Sequence, residues 1–224
     1  MRVSRPIVPA LGMVVALAYA APAAALTKAA GVIAGYNFSN LSISGQSDIQ
    51  GRSSFLAGGV LDLGFNDRFG LRIEPSYVSK GAKATHHNAY WGTMDGVVFN
   101  LDYIDVPVLA RYDLMQGEQR TFLLGGVGVS FATKREAELT RGNLKQTVDF
   151  ADVFSSTDVS LDLGAGISVP AGAGRMTFDG RAAFGLMNIN NGGNVTFGGA
   201  PLAVPSTWTH TVGFRLLATY LFSL

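Results

Sequence analysis

The chain has 224 residues, no Cys and a formal net charge of +1. A charge this close to zero gives no reason to expect nucleic acid as a partner, and the lack of Cys excludes disulfides and thiolate metal sites. The length suits one domain, since all-β barrels often reach it without dividing.

The first 25 residues have the three parts of a secretory signal peptide. Arg2 and Arg5 form a basic segment, residues 7–18 are apolar but too short to span a bilayer as a helix, and residues 23–25 are Ala. We therefore predict cleavage after Ala25 and a mature domain over 26–224. Cleavage after Ala23 and an uncleaved anchor are the alternatives.

Beyond residue 25 the chain alternates apolar segments with polar connections. No stretch there approaches 18 apolar residues, so a membrane-spanning helix is not expected. Short turns at 65–68, 113–119 and 170–174 alternate with longer loops at 42–51, 81–100, 134–156 and 190–206, a rhythm typical of outer-membrane barrels. The pattern predicts eight strands, at 29–41, 52–65, 69–80, 101–113, 120–133, 157–169, 175–188 and 207–223.

Side-chain parity indicates which face of each strand meets lipid. Successive side chains of a strand point to opposite faces, and in five of the eight strands one face carries no charge; Leu161 and Leu163, for example, oppose Asp162. Aromatic residues near strand ends resemble the girdles of membrane barrels. The girdle predicted near the short turns is Phe65, Phe69, Tyr112, Tyr220 and Phe222, and the one near the long loops is Phe38, Phe55, Tyr77, Phe131 and Trp208.

The predicted fold is therefore all-β, an eight-stranded antiparallel up-and-down transmembrane β-barrel. A soluble lipocalin-type barrel, which would place its apolar residues inside, is the alternative.

The charged face would then line the barrel interior. Eight strands enclose a space that side chains can fill, and unpaired charges there would be costly, so we expect an Arg–carboxylate network. A conduction path is the less favoured interpretation, because aqueous channels normally have about 16 or more strands. The predicted lumen network is Asp62, Arg72, Glu74, Asp105, Arg111, Asp162, Asp179, Arg181 and Arg215.

Histidines are the only other candidates for chemistry. His210 shares outward parity with Ser206 and Trp208, which would suit a lipid-modifying enzyme, but an interfacial His at the girdle is the simpler interpretation. His86 and His87 fall in a loop, where a metal site would require further ligands at defined spacing. We predict no catalytic residue, no metal site and no cofactor.

Two of the long loops differ in composition. Residues 134–156 carry balanced charges, which indicates a solvated segment with the option of strand extensions above the membrane. The Gly- and Asn-rich residues 188–199 predict a flexible loop. For residues 134–156, a partner or lipopolysaccharide surface is the functional alternative.

Several segments carry a family resemblance, namely GVIAGYNFSNL (31–41), FGLRIEPSYVSK (69–80), LDYIDVPVLARY (101–112), FLLGGVGVSF (122–131) and DVSLDLGAGISV (158–169). They resemble the outer membrane protein beta-barrel domain family, in particular its PorT-like members. The resemblance implies an eight-stranded outer-membrane barrel but no single activity. The last strand keeps the apolar parity of a barrel-assembly signal, although Leu224 stands where an aromatic residue is usual.

Together these features predict a non-enzymatic integral protein of the outer membrane of a Gram-negative bacterium, with a structural, anchoring or surface-interaction role. Expected partners are outer-membrane lipid, lipopolysaccharide, the barrel-assembly machinery during insertion and a protein at the outer loops. The alternatives are a lipid-modifying enzyme, a component of a protein-secretion system or a narrow channel.

Overall fold

The computed structural model describes residues 27–45, 49–85, 94–115 and 117–224. The predicted signal peptide and the candidates His86 and His87 lie outside these residues. Within the described residues no helix is long and apolar enough to cross a membrane. The strands are β1 (Thr27–Ile43), β2 (Ile49–Gly64), β3 (Phe69–Ile73), β4 (Ser76–Lys80), β5 (Ala82–Thr85), β6 (Gly96–Asp113), β7 (Arg120–Arg141), β8 (Leu144–Asp149), β9 (Thr157–Ala171), β10 (Gly174–Gly185), β11 (Gly193–Phe197), β12 (Ala200–Val204) and β13 (Thr209–Ser223).

Antiparallel pairing joins most of these strands into a closed ring. The order is β1, β2, then β3 to β5, then β6, β7, β9, β10 and β13, and β13 pairs back with β1 from Ala29–Ser223 to Ile43–Thr209. The ring thus has eight positions, while the chain has thirteen described strands because one position is divided and β8, β11 and β12 lie outside the ring.

The divided position replaces the single strand predicted over 69–80. The strand stops at Glu74 and Pro75 because Pro has no N–H to give to the ladder. The break is local, since Glu74 N donates to Pro107 O at 3.1 Å and Gly59 N donates to Pro75 O at 2.9 Å.

Along the ring strands exposed and buried residues alternate, and the exposed residues are those that parity predicts to face lipid. Phe214 and Leu163 are 46% and 49% exposed, whereas Arg72 and Arg215 are 1% and 2% exposed. Ile73 is an exception at 5%; in the register it lies between Leu61 and Val108 of the neighbouring strands, beside the break. Apolar side chains therefore face outward and charged ones inward over this part of the ring.

Beyond the predicted strand ends the buried face becomes apolar on both β6 and β7, but only β7 changes the parity of its buried residues. A β-bulge shifts their register between Asp102 and Tyr103, so that Tyr103 pairs with Ala132 and Asp102 with Lys134. The extra residue, Thr133, moves the following side chains to the opposite face. Beyond it Leu139 is fully buried and Lys134 is exposed.

The bulge leads into a compact outer region. Residues 134–156 contain the β7 extension and β8, so the option of strand extensions is confirmed, although one face of them is packed rather than solvated. Residues 188–199 contain β11, which pairs with β12, so the prediction of a flexible loop is corrected. These strands cover one apolar cluster because the inner face of the extension is apolar. We call it the outer core: Leu41, Ile43, Met94, Val97, Phe99, Leu101, Tyr103, Ala137, Leu139, Val148, Phe150, Val153, Phe154, Ile189, Val195, Phe197 and Val204.

Candidate functional site

The charged inner face of the ring contains three groups of ion pairs, and the first is centred on Asp62. Arg72 Nε donates to Asp62 Oδ2 at 2.8 Å, and Arg111 Nη1 donates to the other carboxylate oxygen. Arg72 is the direct cross-strand neighbour of Asp62 on β3, and Arg111 lies on β6. Arg111 Nε is also 3.1 Å from Asp113 Oδ1. One buried carboxylate therefore holds two guanidinium groups from adjacent strands.

The second group joins opposite walls of the ring. Both terminal nitrogens of Arg181, on β10, donate to the carboxylate of Glu74, with Nη2 to Oε1 at 2.8 Å. The same guanidinium donates from Nε to Asp179 Oδ2 at 2.5 Å. This two-bonded geometry matches the planar fork of Arg to a carboxylate. Arg72 Nη1, at 3.9 Å from Glu74 and 3.8 Å from Asp179, links the first group to the second.

The third group surrounds Arg215 of β13. Its Nη1 is 2.8 Å from Asp105 Oδ2 and 3.6 Å from Asp162 Oδ1. Each carboxylate also accepts a hydroxyl: Ser130 Oγ donates to Asp105 at 2.5 Å and Ser160 Oγ to Asp162 at 2.7 Å. The three groups bring together all nine charged residues that sequence parity selects.

Sequence reasoning missed one further buried pair, Lys80 and Asp158. Lys80 Nζ is 3.5 Å from Asp158 Oδ2 and donates to Ser130 Oγ at 3.0 Å, and Thr211 Oγ1 donates to Asp158 at 2.7 Å. The inward parity of both residues could have found them. Their position near the predicted strand ends excluded them from the mid-strand set. Ser130 therefore lies between the Lys80 ammonium and the Asp105 carboxylate. Because Ser130 is 0% exposed, a substrate could not reach its hydroxyl.

Glycines on the inner wall provide the space for these side chains. A Cβ at Gly128 would lie 2.6 Å from Ser160 Oγ and 2.9 Å from Asp162 Oδ2, and one at Gly164 would lie 2.6 Å from Arg181 Cγ. All three distances are shorter than a Cβ atom tolerates. The lumen side chains therefore pack directly against the backbone at Gly128 and Gly164.

The outer core begins directly above the charged groups. Lys80 Nζ lies 4.8 Å from the centre of the Tyr103 ring, which belongs to the outer core. Further out, the ring of Phe99 meets those of Phe150 and Phe154 edge-on, with centroids 6.1 Å and 5.4 Å apart. Charged and apolar packing thus follow one another along the axis of the ring.

The remaining sequence candidates lie on the outer face. His210 is partly buried opposite Ser42 of β1, and its Nδ1 makes no hydrogen bond with the described residues. Nothing there orients it as a base. Among the described residues no group of three or more His, Asp or Glu is arranged to hold a metal ion.

The aromatic residues predicted as girdles have at least partly exposed rings. Phe69 and Tyr112 pair across β3 and β6 with ring centroids 4.9 Å apart, and Tyr220 and Phe222 of β13 are 4.7 Å apart. Phe55 is 71% exposed and lies 4.6 Å from the ring of Tyr36. These positions are compatible with an interfacial role, which stays a prediction.

A ring with apolar residues outside and buried charges inside is what a lipid-facing barrel requires. The family model for the outer membrane protein beta-barrel domain matches residues 24–191. The chain belongs to this family. This outer membrane β-barrel domain is accordingly a transmembrane protein of the Gram-negative outer membrane.

Solved structures agree at the level of the fold. Similar chains include the outer membrane protein OprG from Pseudomonas aeruginosa, at 13% identity over 88% of this chain and 97% of that one, with a TM-score of 0.50. The attachment invasion locus protein Ail of Yersinia pestis is 12% identical over 88% of this chain and 100% of its own, with a TM-score of 0.45. No curated protein matches this outer membrane β-barrel domain.

Proposed function

We propose that this protein is a non-enzymatic, eight-stranded outer-membrane barrel with a closed interior, acting as an anchor that presents its outer strands to a partner at the cell surface. The Arg–carboxylate network closes the interior at the level of the ring, and the outer core closes it beyond the bulge. In this interpretation the short turns face the periplasm and the long connections face outward.

The pairing of groups across the lumen carries the proposal. Arg181 on β10 meets Glu74 on the opposite wall, and Arg215 on β13 meets Asp105 on β6. All four residues are at most 2% exposed. Side chains that meet across the axis leave no room for a continuous water column, and breaking them would leave buried charges unpaired.

Conductance in planar bilayers tests the closed interior. We expect the wild-type protein to give no stepwise current, and Arg215→Ala to give openings because it removes the guanidinium between Asp105 and Asp162. Leu216→Ala, which truncates the next, outward-facing side chain of the same strand, is the matched control and should stay silent. Steady current through the wild-type protein would contradict the proposal.

The outer strands support the surface role because they form an ordered platform with charged outward faces. Lys134 Nζ is 3.0 Å from Glu136 Oε2 and Lys145 Nζ is 2.9 Å from Glu138 Oε1, with both lysine side chains largely exposed. Such groups can exchange their carboxylate partners for phosphates of lipopolysaccharide or for acidic groups of a protein at low cost, since exposed pairs are weak.

Binding to lipopolysaccharide vesicles tests this role. The double variant Lys134→Gln/Lys145→Gln should bind several-fold more weakly than wild type. Arg68→Gln, at the other end of the barrel, should bind as wild type does. Equal binding by all three proteins would argue against a lipopolysaccharide partner and direct the search to a protein.

The narrower PorT-like assignment, with a role in protein secretion, stays a prediction. Neighbouring genes would test it, because a secretion operon and a lipid-biosynthesis operon give different expectations. An enzyme acting at His210 would be detected by comparing lipid A mass spectra from cells that express wild type and His210→Ala.

A further inference from the structure

The end of the ring with the short turns contains a cavity of about 170 Å³. Every one of the eight ring positions contributes to it, so it is the mouth of the barrel on the axis and not a groove between two strands. We call it the turn-side cavity. Its lining residues are Thr27, Lys28, Ala29, Asp62, Arg72, Arg111, Asp113, Arg120, Phe122, Ser168, Arg175, Leu221 and Ser223.

Four arginines and two aspartates of this lining have inward parity, whereas Lys28 alternates with the exposed Val32 and Tyr36 on the outer face of β1. Asp62 is already bonded to Arg72 and Arg111. Asp113 is shared between Arg111, at 3.1 Å, and Arg120, at 3.8 Å. Both carboxylates therefore serve two guanidinium groups each, and the inward-facing lining holds more guanidinium groups than carboxylates.

The excess is concentrated on Arg175, which makes no ion pair with a described residue. Arg175 Nε donates to Ser168 Oγ at 2.9 Å, and its Nη2 donates to Glu118 O at 2.6 Å and to Ser168 O at 3.1 Å. These neutral oxygens fix the guanidinium without neutralising it. Because Ser168 Oγ accepts from Arg175, its own O–H can donate to a ligand.

We propose that the turn-side cavity binds a phosphate group, either inorganic phosphate or the phosphate of a lipid headgroup. A phosphate carries up to two charges and several acceptor oxygens, which match Arg175, Arg120 and the Ser168 hydroxyl. A carboxylate carries one charge and two oxygens, fewer than a phosphate offers to these three groups. The volume suits a group of this size with a few waters, since one water occupies about 30 Å³.

The site is independent of the proposed surface role, because the outer strands lie at the other end of the barrel. Failure of lipopolysaccharide binding would therefore leave it unaffected, and its own failure would leave the surface role unaffected.

Calorimetric titration of the detergent-solubilised full-length protein with inorganic phosphate at pH 7 tests the proposal. We expect one phosphate per chain and at least about tenfold weaker binding for Arg120→Gln/Arg175→Gln, because this double variant removes two charge-assisted hydrogen bonds to the phosphate. Ser168→Ala should weaken binding less. Arg68→Gln removes an exposed charge from an adjacent turn outside the cavity and is the matched control.

A second titration, with nanodiscs that contain phosphatidic acid or only a zwitterionic lipid, separates the two sources. Preference for phosphatidic acid that the double variant loses, together with weak binding of inorganic phosphate, would identify the headgroup as the ligand. Binding by the double variant equal to that of Arg68→Gln in both titrations, or acetate binding as tightly as phosphate, would overturn the proposal. Heat-modifiable gel mobility checks that each variant is folded.

Discussion

The interior of this barrel has two regions that are equally buried and chemically opposite. At the level of the ring it holds Arg72, Arg181 and Arg215, and in the outer core it holds Phe99 and Leu139, all at most 2% exposed. The difference follows from what lies outside each wall. Where the outer face meets hydrocarbon, polar groups go inside; where it meets water, apolar groups go inside.

Below the bulge the outward side chains include Ile104 and Phe131, and above it they include Lys134 and Glu136. On β7 the inserted Thr133 makes this change. On β6 the same alternation continues, and the buried residues themselves change from Asp105 to the apolar Leu101 and Phe99. The comparison also teaches that burial alone does not show whether ion pairs or apolar packing stabilise a region. Four substitutions can separate these two contributions.

The largest expected effect comes from Arg181→Met in the charged region. It leaves Glu74 and Asp179 buried without their guanidinium, so we expect a loss of about 3–5 kcal/mol in the free energy of unfolding. Urea unfolding of protein reconstituted in vesicles measures it. Arg68→Met, which removes an exposed Arg from a turn, should change stability by no more than about 0.5 kcal/mol. Equal losses for the two variants would mean that the buried pairs contribute nothing particular.

Leu139→Ala tests the apolar region. Leu139 is 0% exposed, and its truncation should cost about 2–5 kcal/mol through lost burial and the remaining cavity. The same substitution at Leu144, which is 46% exposed at the start of β8, should have little effect. Trypsin should cut the β7–β8 extension faster in Leu139→Ala only. Equal cleavage of both variants would show that the outer core does not hold these strands.

Gly128→Ala tests how tightly the charged region is filled. The added methyl group would lie 2.6 Å from Ser160 Oγ, and we expect a cost of about 1–3 kcal/mol from overpacking. Gly59→Ala, where the nearest atom would be 3.9 Å away, is the control and should be tolerated. Identical unfolding curves for the two variants would argue for a hydrated, adjustable lumen.

The smallest effect is expected for Lys145→Gln on the outer surface. Its pair with Glu138 spans 2.9 Å, but the lysine side chain is 63% exposed, so the loss should be at most about 1 kcal/mol and should vanish at high salt. A loss comparable to that of Arg181→Met would show that the outer pairs are more than solvated surface charges.

At the level of the charged ring, sequence parity was sufficient to predict which side chains face inward, because the period of two holds there apart from exceptions such as Ile73. The alternation of Leu161, Asp162 and Leu163 identifies both faces of β9 without tertiary information. The pairing partners were not predictable. Glu74 and Arg181 are 107 positions apart, and only ring closure brings them together.

The outer region was predictable only in part, for two physical reasons. The bulge at Thr133 interrupts the alternation, which hides the continuation of β7 to Arg141. Local composition also misled, since the glycines and asparagines of residues 188–199 favour a flexible loop. The burial of Val195 and Phe197 in the outer core, which orders this segment, is a long-range effect.

The seam between β1 and β13 has a consequence for biogenesis. Its partners, such as Ala30 and Phe222, come from the two ends of the domain, so the cylinder cannot be sealed until the final strand has been delivered. Pairing between segments so far apart in sequence is slow, and until it occurs the unpaired strand edges are prone to aggregation. Until β1 and β13 pair, the backbone N–H and C=O groups along this seam have no partners on the opposite strand.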